Sequence, residues 1–328
     1  MTATPSDSSD REGPSERSLE LGLRRHPLTD AARARIRAAA EAEWRTVARQ
    51  RWTRSRWAGL AAGLAALALI TVAWLRPSAE AAVVGSVIRV DAGTLETGSL
   101  PLLHGTLGPG NALRTGERVT AHGAALVALT TGGTLRIARG TVIRTLDTDE
   151  IELRNGQIYV DLPPTLPREL HFTVRTAIGS IEHVGTQFEV TTGARELRVR
   201  VREGQIRLRR PAGTETAEAG TELVVPQTGP IVRLPLKTFG RQWSWVEALA
   251  PDFAIENRRL ADFLDWAARE TGRRLEIADG HTREVADQTR LHGSIRGLTP
   301  MEAIDIVSSA TSLRFELRND AIRVSSGG

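Results

Sequence analysis

Apolar and polar positions follow different rules in four successive stretches of this chain. Residues 1–20 are mostly Ser, Asp, Glu, Pro and Arg, a composition that buries too little apolar surface to offset ordering. From Thr29-Asp30, where either residue can cap a helix, an alanine- and arginine-rich stretch runs to about Trp52 with strong helix propensity. Its large apolar positions are Ile36, Trp44 and Val47, too few for a core of their own. Trp57–Leu75 is then uniformly apolar and uncharged, and as a helix it spans about 28 Å, close to the thickness of a bilayer core. Trp57 and Trp74 stand at its ends, where indole rings favour the headgroup region. The pattern predicts a single transmembrane helix over 57–75.

Beyond the run the period shortens. From Val83 to about Leu234, short alternating segments such as Ser86–Val90, Thr134–Ile137 and Leu197–Val201 read as half-buried strands. Gly132-Gly133, Asn155-Gly156 and Glu203-Gly204 read as turns between them. Glu152–Val160 and Val201–Leu208 look like copies of one unit: strand, glycine turn, Gln-Ile, strand. Repetition of this kind predicts an all-β domain, solenoid-like or sandwich-like, over 80–235. Leu162–Pro167 interrupts it as a loop, because proline cannot sit in a central strand.

From about Trp243 the period lengthens again. Phe253-Ala254-Ile255 reads as a strand. Leu260, Phe263, Leu264, Ala267 and Ala268 share one helical face, and Gly272 ends that helix. Arg274–Ile277 and Thr289–Ile295 read as strands. Thr299-Pro300-Met301-Glu302 is a capping box with proline at the first helical position, and the helix it opens turns Met301, Ile304, Val307 and Ala310 inward. Leu313–Leu317 and Ala321–Val324 close as a hairpin around Asn319-Asp320. The predicted order is βαββαββ, a small α+β domain over 243–328. Trp243 and Trp245, at its start, are expected to pack it against the all-β domain.

Charge gives the apolar run a direction. Residues 1–56 hold 12 arginines against 8 acidic residues, whereas the remainder holds 31 basic and 31 acidic residues. Arg45, Arg49, Arg51, Arg54 and Arg56 crowd one end of the run, and after Arg76 no basic residue follows until Arg89. The positive-inside rule puts residues 1–56 in the cytoplasm and everything after residue 75 outside, with Arg54, Arg56, Trp57 and Trp74 as membrane anchors. Such a basic excess could also attract nucleic acid, but topology accounts for it, and nucleic acid is not an expected partner. The chain has no cysteine, so disulfides, thiolate metal sites and thiol catalysis are excluded. Its seven histidines do not cluster with carboxylates at metal spacings, and His183 reads as a strand residue. Gly108-Pro109-Gly110 is a turn, not a phosphate loop. No nucleophile with a neighbouring base is visible, so no enzyme activity, metal or cofactor is expected.

One stretch carries a resemblance. His171–Gly179, Val184–Val190 and Val199–Gly204 contain Val-x-Thr, Gly-Thr-x-Phe-x-Val and Val-x-Val-x-x-Gly in sequence. Together they resemble the signature of FecR-type transmembrane regulators. The C-terminal segment, through Ile255–Arg258, Leu260, Phe263-Leu264 and Thr271–Arg273, resembles the short N-terminal domain of secretins and TonB-dependent transporters. The resemblance implies an anti-sigma regulator of the Gram-negative inner membrane, engaged in signal transduction and transcription regulation. Its cytoplasmic end would bind an extracytoplasmic-function sigma factor, through Ile36, Trp44 and Val47 as a helix contact. Its periplasmic end would meet the signalling domain of a TonB-dependent outer-membrane transporter, often one for iron chelates, with the exposed edge of the terminal domain as the docking surface. The alternative is a membrane-anchored periplasmic scaffold with no sigma partner. The resemblance also singles out Gly185 and Thr186, since some relatives are cut at a Gly-Thr bond within this pattern; the alternative is that Gly185 makes a bulge and Thr186 is an ordinary strand residue.

Overall fold

The computed structural model describes residues 81–100, 103–164 and 171–327, together with Asp30, Ala31, Ala34, Arg35, Arg37, Ala38 and Glu41, which are helical. The apolar run Trp57–Leu75 and the contact residues Ile36, Trp44 and Val47 lie outside the described residues, as do Arg54 and Arg56. Among the described residues no helix is long and apolar enough to cross a membrane. Residues Ala79–Gly328 form one compact unit with two large apolar cores and a small buried cluster of Tyr159, Trp243 and Val246.

The first core is enclosed by a single branched sheet. Its strands are β1 (Val83–Asp91), β2 (Leu95–Leu100), β3 (Leu103–Leu107), β4 (Ala112–Arg114), β5 (Arg118–Ala121), β6 (Ala124–Leu129), β7 (Thr134–Ile137) and β8 (Val142–Asp147). They continue with β9 (Glu150–Asp161), β10 (Thr173–Arg175), β11 (Ser180–Thr192), β12 (Glu196–Arg210), β13 (Gly213–Glu218), β14 (Thr221–Pro226) and β15 (Val232–Pro235). The main path is β15-β14-β12-β11-β10-β9-β7-β6-β1-β4, with β8, β5, β2 and β3 branching from β9. The all-β expectation holds. The branching follows from long strands that bend between neighbours. The first half of β9 pairs with β8 and β10, and its second half with β7 and β11.

Two of the expected turns are those bends. Gly132-Gly133 does turn β6 into β7, but Gly156 lies inside β9 and Gly204 inside β12, with φ of 98° and 71°. A left-handed glycine suits a tight turn and a kink in a continuous strand equally well, so the local signal cannot separate them. At Gly156 close packing adds to the demand: a Cβ there would stand 2.6 Å from the Cα of Thr141. The apparent repeat is thus a pair of long strands, each bent at its glycine.

The second core lies under three helices. After a 3₁₀ turn at Arg241–Trp243 come α1 (Ser244–Ala248), β16 (Arg258–Arg259), α2 (Leu260–Thr271), β17 (Arg274–Ile277), α3 (Gly280–Gln288), β18 (Arg290–Leu291), α4 (Pro300–Ala310), β19 (Leu313–Leu317) and β20 (Ala321–Ser326). β17, β20 and β19 form a three-stranded sheet in that order, and β16 pairs with β18. α2 buries the five apolar residues that its periodicity selects and ends at Gly272, whose φ of 62° is left-handed. The capping box forms: Thr299 Oγ1 accepts from the Glu302 N–H at 3.3 Å, and the Glu302 carboxylate accepts from the Thr299 N–H at 2.8 Å.

Four details differ from expectation. Phe253–Ile255 is not a strand; Phe253 instead packs its ring 5.9 Å from Phe263 and 5.4 Å from Trp266. The strand expected over 289–295 shrinks to Arg290–Leu291. α3 is an additional helix, capped by the Asp279 side chain, which accepts from the Thr282 N–H at 2.7 Å. In α4 Ala303 takes the inward position assigned to Ala310, which is exposed.

Candidate functional site

β11 and β12 are the longest strands, and their pairing is broken at one place. Val184 faces Gln205 and Gln187 faces Glu203, so Gly185 and Thr186 together oppose the single residue Gly204. This is a β-bulge, which bends the strand and releases local pairing. A second irregularity follows at once: Phe188 faces Val201, leaving Arg202 as the extra residue on β12. Thr186 is fully buried, yet its hydroxyl has no hydrogen-bond partner. Its carbonyl accepts from the Leu162 N–H at 3.1 Å. A buried hydroxyl normally finds a partner, because leaving it unpaired costs stability. Here the hydroxyl is uncommitted, and no side chain accepts a hydrogen bond from it as an activating base would.

His183 lies in β11 three residues before Thr186, as a strand residue. Its Nδ1 accepts from the Phe172 N–H at 2.8 Å, and burial holds its pKa below the usual imidazole range. The ring is committed to the backbone of Phe172.

Immediately beside the bulge, the sheet meets the terminal module through buried charge. The Gln187 side-chain amide donates to Asp161 Oδ2 at 3.1 Å. Asp161 is ion-paired with Arg269 of α2, and Arg269 Nη2 also donates to the Leu162 carbonyl at 3.3 Å. Next to it, Glu270 accepts from Arg136 Nη2 at 2.7 Å, while Arg136 Nη1 donates to the Val246 carbonyl at 2.7 Å. Both members of this pair are buried, and burial pushes the Glu270 carboxyl above its usual range against the pull of Arg136. Arg202, placed by its bulge, donates to the Thr238 carbonyl at 2.7 Å and to Glu247 at 3.2 Å. Its guanidinium lies 4.9 Å from the centre of the Trp243 ring.

Trp243 is fully buried and meets Tyr159 edge-on at 6.0 Å, and Trp245 Nε1 donates to Glu189 at 2.8 Å. The two tryptophans thus join the modules as expected. Periodicity missed Arg136 and Arg202. Both occupy polar positions of alternating strands, where a solvated face is the ordinary outcome, and burial reaches them from residues more than a hundred positions away or beyond a bend. A cleft of about 420 Å³ opens along this seam, lined by Gln187, Arg202, Glu203, Arg269 and Arg273 among others. Among the described residues no group of side chains has the makings of a metal site.

The structure therefore brings Gly185 and Thr186 together with the seam, and the other expected site residues lie outside what it describes. The FecR protein family model matches residues 113–207, a span that contains the bulge and most of the sheet. Two crystal structures of a proposed anti-sigma factor from Parabacteroides distasonis, at 2.50 Å and 1.65 Å resolution, align at 15% and 16% identity. Each alignment covers 62% of this chain and 95% of that chain with a TM-score of 0.32, a likeness too distant to decide fold or function. No curated protein sequence matches this chain.

Proposed function

We propose that this chain, which carries a FecR domain over residues 113–207, is a single-pass regulator of the inner membrane. In this reading residues 1–56 hold an extracytoplasmic-function sigma factor in the cytoplasm. The terminal α+β module receives the signalling domain of a TonB-dependent transporter on the other side. The FecR match carries the reading, and the one-sided arginines around Trp57–Leu75 support the topology. The test is a pull-down of the detergent-solubilised full chain against one lacking residues 1–50. A sigma factor retained by the full chain alone supports the regulator; identical envelope partners and no sigma factor for both would favour the scaffold.

The Gly-Thr motif at the bulge supports a further step, self-cleavage between Gly185 and Thr186. Thr186 Oγ1 attacks the Gly185 carbonyl carbon. The ester bond forms, the peptide C–N bond breaks, and the hydroxyl proton passes to the departing nitrogen. Water then opens the ester, leaving a Gly185 carboxylate and a Thr186 with free amine and restored hydroxyl. What supports the step is the Gly-Thr motif inside the FecR match together with a buried hydroxyl that no other hydrogen bond holds away from the Gly185 carbonyl; the bulge itself is equally compatible with an ordinary strand residue. On a blot of C-terminally tagged full chain, wild type should show a shortened band that Thr186→Ala abolishes; identical full-length bands would sink this step.

A further inference from the structure

Two chains of contact lead from one side chain of the terminal module to the two residues on either side of the Thr186–Gln187 peptide. Arg269, on the last turn of α2, donates to the Leu162 carbonyl at 3.3 Å, and the N–H of the same residue donates to the Thr186 carbonyl at 3.1 Å. Arg269 also pairs with Asp161, whose other carboxylate oxygen accepts from the Gln187 amide at 3.1 Å. Asp161 and Leu162 are both buried, while Arg269 is partly exposed on the wall of the cleft. The bulge leaves Gly185 and Thr186 without a matched pair on β12. On the other side, what fixes Thr186 is the bond from Leu162, and what fixes Leu162 and Asp161 from outside the sheet is Arg269.

We propose that Arg269 is a positioning residue for the Gly185–Thr186 cleavage, so that docking of the terminal module sets the rate of the cut. The proposal rests on the cleavage reading above. An intramolecular acyl shift depends on the approach of Oγ1 to the carbonyl carbon, and small misplacements of reacting atoms slow such steps by large factors. With Arg269 in place, Asp161 and Leu162 are held, and with them the carbonyl of Thr186 and the side chain of Gln187, on the C-terminal side of the scissile bond. With the module undocked, the bulge is free to relax. The cut then becomes a mark of correct assembly: a chain is processed once its terminal module has seated against the sheet.

The experiment is pulse-chase labelling of the tagged full chain in membranes, following the shortened band with time at a temperature well below the melt of every variant. Hydroxylamine, which cleaves esters and spares amides under mild conditions, reports the acyl shift separately from hydrolysis. Arg269→Met should slow both the spontaneous and the hydroxylamine-released product by about 10-fold. Arg269→Lys, which keeps the charge on Asp161, should recover a large part of the rate. Gln187→Met cuts one route while leaving the module docked, and should slow the shift by a smaller factor. Arg318→Gln, which breaks a surface pair with Glu316 in the same module, should leave it unchanged. If folded Arg269→Met and Gln187→Met are both processed at the wild-type rate, the positioning role is overturned. If wild type is as uncut as Thr186→Ala, the cleavage reading itself falls and this role with it. A cut wild type with unaffected Arg269 variants removes the positioning role alone.

Discussion

At the scale of single residues, the seam is a case of charge taken out of water and repaid locally. Arg136 is completely buried, hydrogen-bonded to the Glu270 carboxylate and the Val246 carbonyl and ion-paired with Asp161 at 3.8 Å. Arg136→Met would strand the Glu270 carboxyl without its cation, and loss of one partner of a buried pair costs roughly 3–5 kcal/mol. Replacing both, Arg136→Met with Glu270→Met, removes the stranded charge and should recover most of that loss. Denaturant melts of the two variants test this; a double variant as unstable as the single one would show that packing volume, not charge, holds the seam. None of this is legible in Thr134-Leu135-Arg136-Ile137, where the arginine sits on the polar beat of a strand. What buries it is a helix more than a hundred residues later. Thr186 was legible as a residue type in a recognisable motif, but its unpartnered hydroxyl was not, since that depends on which neighbours the bulge turns away.

Elements were legible wherever their signals are local. The capping box at Thr299 and the apolar face and glycine stop of α2 formed as read, because each depends on residues within a turn or two. Thr299→Ala should cost about 1 kcal/mol, the usual worth of an N-cap, seen as a lower melting midpoint of the second core. An unchanged midpoint would mean that Pro300 and the buried Ala303 and Ile304 start the helix unaided. α3 went unread because Gly280–Gln288 is polar and buries little beyond Thr282 and Ala286, so it has no apolar stripe to recognise. The glycines inside β9 and β12 carry the same local signal as a turn, since a positive φ serves both purposes. The bend at Gly156 makes a sharp prediction. Gly156→Ala puts a side chain at a φ of 98° and 2.6 Å from the Thr141 backbone, and strain of this kind costs on the order of 1–3 kcal/mol before the clash is counted. The variant should melt well below wild type. A wild-type melt would mean that β9 can straighten, and the branching of the sheet would then need another cause.

Across the whole molecule, titrating groups of opposite sign are buried at and beside the seam, and pH should pull on them in opposite directions. Burial raises the carboxyls of Glu189, Glu247 and Glu270, and for each it outweighs the arginine or tryptophan partner that lowers them. A carboxyl whose folded pKa lies above its unfolded one contributes stability that is present below the ordinary Glu range and lost as pH rises through the folded value. His183 is the reverse case. Burial lowers it from 6.5, so its contribution is present above that pH and lost as pH falls through the folded value. The two can be separated by difference. As pH falls towards the ordinary Glu range, the melting temperature of wild type should rise relative to Glu189→Gln, which carries no charge to bury. As pH falls below 6.5, it should fall relative to His183→Asn, which cannot be protonated. The exposed carboxyls Glu302, Asp262 and Asp320 are held below their usual range by hydrogen bonds and ion pairs, so they titrate at more acid pH and do not blur the comparison. A difference between wild type and Glu189→Gln that stays flat, or moves the other way, would mean that the Trp245 and Arg200 contacts outweigh burial at Glu189. The carboxylate would then stabilise the seam as a charge, and acid would loosen the terminal module from the sheet instead of tightening it.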